Sequence, residues 1–332
     1  MTQPNDITVS DIVTAQNAIA PMVRDTPVET SVSLSAQLGV PVHLKLEHHQ
    51  HSGSFKFRGA SNAVARLSPD EKAAGVVGVS TGNHGRALAR TCGKAGVRCV
   101  IAMSKLVPAN KVKAIQAEGA EVLIEGDSQD DAQKAVDRMV DSGMTVIPPF
   151  DHPDVIAGQG TLGLEIAAAL PEIDTVLVQL SGGGLIAGMA VALKARIPGV
   201  RVIGVSMQRG AAMAESLRIG RPVEVRELPT LADSLGGGIG MTNRYTFAMA
   251  QNLVDDVVLL TESEIAEGIR HCYWQERQIV EGAGAVGVAA ILAGKVSSKG
   301  PMVALLSGGN IDMALHHRVI SGQNVDLGKE RA

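Results

Sequence analysis

Short runs of purely apolar residues alternate with amphipathic helical stretches along most of this chain, and that alternation constrains the fold more than any other feature. Residues 43–47, 76–80, 99–103, 121–125, 175–180, 202–206 and 302–307 read as strands rich in Val, Ile and Leu. They are apolar throughout rather than at every second position, as strands covered on both faces of a parallel sheet must be. Between them, stretches such as HGRALARTCGKAG, KVKAIQAEG and IAGMAVALKARI repeat apolar residues at three- and four-residue intervals, the period of a helix with one buried face. Pro108 opens one of these helices and Gly119 follows its end. Strand–helix alternation predicts an α/β protein with helices on both faces of parallel sheets. The stretch 219–241, rich in Gly and Pro, reads as loop.

The 332 residues are enough for one large α/β unit or two intimate lobes. Aromatic residues are only 2% of the chain, so aliphatic side chains and alanine must fill the core. Net charge is −4 without a basic run, which argues against a nucleic-acid partner. No apolar stretch approaches the roughly 18–20 residues of a membrane span. The first residues lack the pattern of a signal peptide, so a cytoplasmic location is the expectation. Cys92, Cys99 and Cys272 form no paired framework and are expected reduced and structural.

The 37 glycines cluster, and in open α/β sheets ligands bind beyond the carboxyl ends of strands. Four glycine-rich or polar turns lie there. In GSFKFRGA, Lys56 sits near a helix start, where the positive helix end and burial both disfavour its protonation. It is a candidate nucleophile toward a carbonyl carbon, with a solvated surface lysine as the alternative. STGNHG, residues 80–85, offers the amides of Thr81, Gly82, Asn83 and His84 to a carboxylate, or is simply a capped turn. SGGGL places Gly182, Gly183 and Gly184 at a helix start, a pattern suited to cradling phosphate. Gly182, Gly184 and Ala187 also fit a loose dinucleotide fingerprint. The acidic residue that a dinucleotide requires is missing from the end of the next strand, at Val205, Ser206 and Met207. SGGN, starting at Ser307, can present a hydroxyl to a ring nitrogen or close a strand. Glu281 either caps the apolar helix that follows it or faces the ligand. His48, His49 and His51 have no carboxylate or cysteine to complete a metal set, and His316 and His317 read as helix-end residues. Arg58 and Arg86 read as surface residues, with binding of a second substrate carboxylate as the alternative.

In this order and spacing, the four motifs resemble those of the threonine dehydratase and serine racemase family of pyridoxal-phosphate enzymes, over about residues 10–320. The resemblance implies the type II fold: two open parallel-sheet α/β lobes with the cofactor between them. Residues 1–52 and 149–332 would form the larger, cofactor-binding lobe and 53–148 the smaller one. It implies pyridoxal 5'-phosphate held covalently by Lys56, Phe55 against the ring, and Asn83 on the phenolic oxygen. Gly182, Gly183, Gly184 and Leu185 would hold the phosphate, Ser307 the ring nitrogen, and Glu281 would lie at the cofactor. Ser80, Thr81, Gly82, Asn83 and His84 would hold the substrate carboxylate. The implied activity converts a small β-hydroxy amino acid to a 2-oxo acid and ammonia, with Lys56 taking the Cα proton. A homodimer is the family expectation.

The sequence departs from the family pattern at three places. Thr81 stands where the racemases carry a serine, which makes racemization the rival reading with Thr81 as its discriminating, catalytic-face residue. Ser206, Gly210 and Ala212 replace the metal-binding set, so no metal is expected. No C-terminal regulatory segment follows, so isoleucine feedback is not expected. The stretch from Ser206 to Met213 and the histidine-rich lead into GSFK resemble the branch that uses hydroxyectoine. Threonine, serine, 3-hydroxyaspartate and a hydroxylated diamino acid are therefore all candidate substrates. A non-catalytic or NAD-binding α/β protein is the remaining alternative.

Overall fold

The computed structural model describes residues 7–80, 82–105, 107, 109–323, 325 and 327. Two sheets organise them. The first contains β1 (Val28–Ser31), β2 (Val42–Lys45), β7 (Thr175–Gln179), β8 (Arg201–Met207), β9 (Asp256–Leu260) and β10 (Met302–Leu305). Its spatial order is β1-β2-β10-β7-β8-β9. All neighbours are parallel except β1, which pairs antiparallel with β2 at the edge. The second sheet is parallel throughout, in the order β5-β4-β3-β6. Its members are β3 (Val76–Val79), β4 (Cys99–Met103), β5 (Glu121–Ile124) and β6 (Thr145–Val146).

Helices α1 (Val9–Ile19), α2 (Val32–Leu38), α3 (Lys56–Arg66) and α4 (Pro69–Ala74) precede the second sheet. Its crossovers are α5 (Asn83–Ala95), α6 (Ala109–Ala117) and α7 (Gln129–Asp141). The first sheet is covered by α8 (Pro153–Ala169), α9 (Gly184–Arg196), α10 (Ala212–Ile219), α11 (Thr246–Leu253), α12 (Glu262–Trp274), α13 (Gly282–Leu292) and α14 (Met313–Ile320). Seven of the α-helix starts carry a side-chain cap. Thr8, Ser68 and Thr261 form reciprocal capping boxes with Asp11, Glu71 and Glu264, each satisfying two otherwise orphaned amides.

Strand burial follows most of the apolar runs; the exception is β5, which lies at a sheet edge and has no buried residue. Every residue of β4, β7 and β10 is buried, as double coverage demands. Three strands escaped the sequence reading. β6 has two residues, β1 is a polar edge strand, and β9 begins with an exposed aspartate, so none shows a long apolar run. The run at 43–47 ends as a strand at Lys45, and Glu47 starts a single 3-10 turn. His316 is buried inside α14 rather than at a helix end. Pro108 falls outside the described residues. The three cysteines are free and buried. Among the described residues, no helix is long and apolar enough to cross a membrane.

Strand order fixes where a ligand can enter. In the first sheet the chain runs from β7 outward to β8 and β9, then returns to place β10 on the other side of β7. The crossovers diverge between β7 and β10, opening a crevice at their carboxyl ends. The second sheet repeats the arrangement: the chain leaves β3 toward β4 and β5, and β6 returns to β3's other edge. SGGGL follows β7, SGGN follows β10, STGNHG follows β3, and the segment 147–150 follows β6.

Candidate active site

The two crevices face one cavity of about 200 Å³. From α3 and its approach it is lined by Phe55 and Lys56, and from the turn after β3 by Ser80, Gly82, Asn83 and His84. The turn after β7 contributes Gly182, Gly183, Gly184 and Leu185, and the opposite wall contributes Glu281 and Ser307. Thr81 lies outside the described residues.

Four helices begin at this cavity, and none carries a side-chain cap. α5 starts at Gly82, α9 at Gly183 and α13 at Glu281, while α3 follows Phe55. Side chains from elsewhere meet some of their first-turn amides, Ser80 Oγ taking the Gly85 amide and Gln159 Oε1 the Gly59 amide, and each helix start carries partial positive charge. Such a set suits a ligand with separate anionic groups.

The glycines of the α9 turn are demanded by geometry. Gly183 has φ +90°, a conformation costly for any residue with a Cβ. A Cβ at Gly184 would lie 2.8 Å from the carbonyl oxygen of Phe150, and one at Gly182 only 2.3 Å from the Phe150 ring. The bare backbone thus forms a cup at the start of α9, walled by Phe150. Its donors and size fit a phosphate monoester, so these residues suit the cofactor implied by the motifs.

Lys56 lies across the cavity from the cup. Its Nζ donates to the carbonyl oxygen of Pro149 at 2.7 Å and sits 5.2 Å from the centre of the Phe55 ring. Burial pushes the amine down to about 8, since a charged ammonium loses its hydration there. The residue is thus a buried, partly neutral amine, not a solvated surface lysine.

His84 is buried, and its Nε2 lies 2.8 Å from the carbonyl oxygen of Ile147. A carbonyl can only accept, so Nε2 carries the hydrogen and Nδ1 is left as an acceptor. Burial, and then the Lys56 charge, push the imidazole down to about 3, so it is neutral near pH 7. Ser80 Oγ accepts from the Gly85 amide at 3.0 Å, which shapes the turn into α5.

Glu281 occupies the residue before α13 but makes no capping bond, so the capping alternative is corrected. Its Oε1 accepts from Asn83 Nδ2 at 2.7 Å, and its Oε2 accepts from the Asn310 amide at 3.2 Å. Burial, reinforced by the Asp233 charge, pushes the carboxyl up to about 7. Asn310 Nδ2 donates to Asn83 Oδ1 at 2.6 Å and to the Ser52 carbonyl oxygen at 2.8 Å. Both ends of the Asn83 amide are therefore assigned, and its Nδ2 also lies 3.5 Å from Ser234 Oγ.

The surface reading of Arg58 is also corrected: it is fully buried, because two carboxylates surround it. Arg86 is half-buried and donates from Nη1 to Asn310 Oδ1 at 3.2 Å. Of the three histidines near Gln50, His48 pairs with Gln278 at 2.9 Å. No group of three or more His, Cys, Asp or Glu side chains is placed to hold a metal among the described residues.

Several cavity residues were not singled out from sequence. Pro149 and Phe150 follow a two-residue strand too short to register, and Gln179 was hidden in an apolar run. Ser234, Leu235 and Gly236 belong to the stretch read only as loop. A small polar turn at the end of an apolar run was the usable signal, and these positions lack it.

Comparison with known proteins settles the family. The sequence profile described as "Pyridoxal-phosphate dependent enzyme" matches residues 19–308. The chain belongs to this family. The enzyme is 56% identical over 324 residues to a Sinorhizobium fredii protein whose name assigns it provisionally to the threonine dehydratases, covering 97% of this chain and 98% of that one. It is 41% identical to the L-threonine ammonia-lyase of Thermotoga maritima, over 98% of this chain and 80% of that protein. Among solved structures it superposes on maize serine racemase with TM-score 0.88 and 33% identity, covering 95% and 97% of the two chains. The fold is accordingly the type II pyridoxal-phosphate fold, α/β with two lobes built on parallel sheets.

Proposed function

We propose that this enzyme is a carbon–oxygen lyase that eliminates water from a small β-hydroxy amino acid, threonine or serine, giving an enamine that tautomerises to an imine and takes water back as it hydrolyses to a 2-oxo acid and ammonia. The observation that carries the reading is the Lys56 amine, buried and pushed down to about 8, facing the glycine cup across one cavity. The relatives named as threonine dehydratase and threonine ammonia-lyase support this reaction class.

The bound cofactor supplies the electron sink for the carbon that loses its proton. The rest falls to the chain. Lys56 would hold the aldehyde end and would serve as the base for the Cα proton; an amine near 8 is a usable base at neutral pH. The amides of Gly182, Gly183, Gly184 and Leu185 hold the phosphate. Phe55 would cover the ring, Ser307 would meet the ring nitrogen, and Asn83 would offer the phenolic oxygen a hydrogen from Nδ2, which lies 3.5 Å from Ser234 Oγ. The amides at the start of α5, from Gly82 to His84, together with Ser80 and Thr81, hold the substrate carboxylate. In this reading, residues 53–148 form the substrate-side lobe and 1–52 with 149–332 the cofactor-binding lobe. Ser307, a neutral hydroxyl rather than a carboxylate, would not hold a proton on the ring nitrogen.

Racemization is the second reading, supported by the likeness to maize serine racemase. One experiment separates the two. The protein is reduced with borohydride and the labelled peptide mapped by mass spectrometry, then the native enzyme is given single enantiomers. The panel is threonine, serine, 3-hydroxyaspartate and the hydroxylated diamino acid derived from hydroxyectoine. Label on Lys56 with 2-oxo acid formation is the expected result. Mirror-image product without 2-oxo acid refutes the lyase reading, and label elsewhere refutes the site.

A further inference from the structure

Two residues after Lys56 lies the most heavily bonded side chain of the described structure, and the reaction just proposed does not use it. Arg58 is fully buried. Its Nε donates to Glu47 Oε1 at 2.6 Å and its Nη2 to Glu47 Oε2 at 3.0 Å. On the other side, Nη1 donates to Glu165 Oε1 at 2.6 Å and Nη2 to Glu165 Oε2 at 2.9 Å. Nη1 also reaches Thr161 Oγ1 at 3.2 Å. All five guanidinium hydrogens are thus committed, gripping two carboxylates by two bonds each.

The grip extends further. Lys45 Nζ, also buried, lies 2.7 Å from Glu165 Oε2 and donates to the Thr26 carbonyl oxygen at 2.6 Å. Thr26 Oγ1 donates to Glu47 Oε2 at 2.7 Å. Arg58 therefore ties α3 to α8, to the end of β2 and to the segment before β1. None of these side chains lines the cavity.

Stability alone is a poor reason to bury such a cluster. Apolar residues of similar volume often serve as well or better, because taking charges out of water is costly. Burial raises the Glu165 carboxyl above its ordinary range despite two cations beside it. What a doubly forked guanidinium supplies, and apolar packing does not, is one fixed orientation.

Helix geometry says what is oriented. Successive residues of a helix turn by about 100°, so positions 56 and 58 point in roughly opposite directions. Lys56 faces the cavity while Arg58 faces away from it. The turn between them needs support, since α3 has no side-chain cap and is entered through Ser52 at φ 64° and Gly53 at φ 75°.

We propose that Arg58, clamped between Glu47 and Glu165, is a positioning residue that fixes the first turn of α3 and thereby holds the Lys56 amine in register with the cofactor. The proposal rests on the assignment of Lys56 given above. Its test uses the holoenzyme carrying Arg58→Lys, which keeps the charge but cannot fork across two carboxylates, and Glu165→Gln, a gentler change. Steady-state kinetics with threonine, the pH midpoint of the lysine-bound cofactor's visible absorbance, and Tm are measured together. Arg58→Lys is expected to lower kcat roughly 10–100-fold, the scale of an ångström-level misplacement, with KM changed by less than about threefold. The absorbance midpoint is expected to move, and Glu165→Gln to shift both readouts the same way by less. If Arg58→Lys does not fold, Glu165→Gln alone decides. A lowered Tm with wild-type kcat and midpoint overturns the proposal and leaves the Lys56 assignment standing. Borohydride label away from residue 56 in the wild type overturns both.

Discussion

Replacing Gly184 by alanine tests the cup with a perturbation of known size. The new Cβ would lie 2.8 Å from the Phe150 carbonyl oxygen, 3.0 Å from Phe150 Cα and 3.2 Å from Phe150 Cβ. Ordinary contacts begin near 3.4 Å, so the α9 start and the segment 149–150 must separate by about half an ångström. The nearest atoms belong to the backbone, and no rotamer change relieves them. That same segment supplies the Pro149 carbonyl that receives Lys56. Overpacking of this kind costs about 1–3 kcal/mol. If the cost falls on the cup, the dissociation constant for pyridoxal phosphate rises roughly 5–150-fold, at tenfold per 1.4 kcal/mol. The assay is titration of the cofactor-free protein with pyridoxal phosphate, followed by the visible absorbance of the lysine-bound form and checked by equilibrium dialysis. Gly82→Ala is the contrast, because nothing lies within 4 Å of a Cβ at Gly82; it should leave cofactor affinity near wild type. A Gly184→Ala protein with unchanged Tm and affinity within about twofold of wild type refutes the assignment of this turn to the phosphate.

Other outcomes follow from the same geometry. Lys56 is pushed down to about 8, and only the neutral amine attacks a carbonyl, so the rate of cofactor attachment to the cofactor-free protein should climb as pH rises through 8. A rate that keeps climbing toward pH 10 would show an ordinary solvated lysine. Glu281 is pushed up from 4.5 to about 7; its contribution to stability is therefore full below 4.5 and lost as pH rises through 7. The shift corresponds to about 3 kcal/mol, and Glu281→Gln should flatten the fall in unfolding midpoint between pH 5 and 8. Parallel pH curves for wild type and variant would contradict the burial assigned to this carboxyl. Asp151 accepts the amides of Arg244, Tyr245 and Thr246 at the start of α11. Asp151→Ala should cost about 1–2 kcal/mol in denaturant unfolding, and a loss below a few tenths would mean those amides find water instead.

The sequence alone determined the secondary-structure rhythm and the chemistry of the turns. The apolar runs pointed to strands of parallel sheets, although one of them, β5, proved to be an exposed edge, and the small or polar residues after 79, 179 and 305 marked strand ends where a ligand could meet backbone amides. Those readings depend on local pattern, so β4, β7 and β10 were legible while the short or polar β1, β6 and β9 were not. Strand order was out of reach, because which edge a returning strand joins depends on contacts distant in the chain; only the fold shows that β10 and β6 return to create the two facing crevices. The same limit hid the partners of two charges. Arg58 reads as a surface cation until Glu47 and Glu165, 11 residues before and 107 after it, close around its guanidinium. Glu281 reads equally as a helix cap or a ligand-facing residue until Asn83, 198 residues away, donates to its carboxylate. A side chain's type is local, but its solvation and partners belong to the tertiary structure, and at this site they decide whether a charge is exposed, buried or shared.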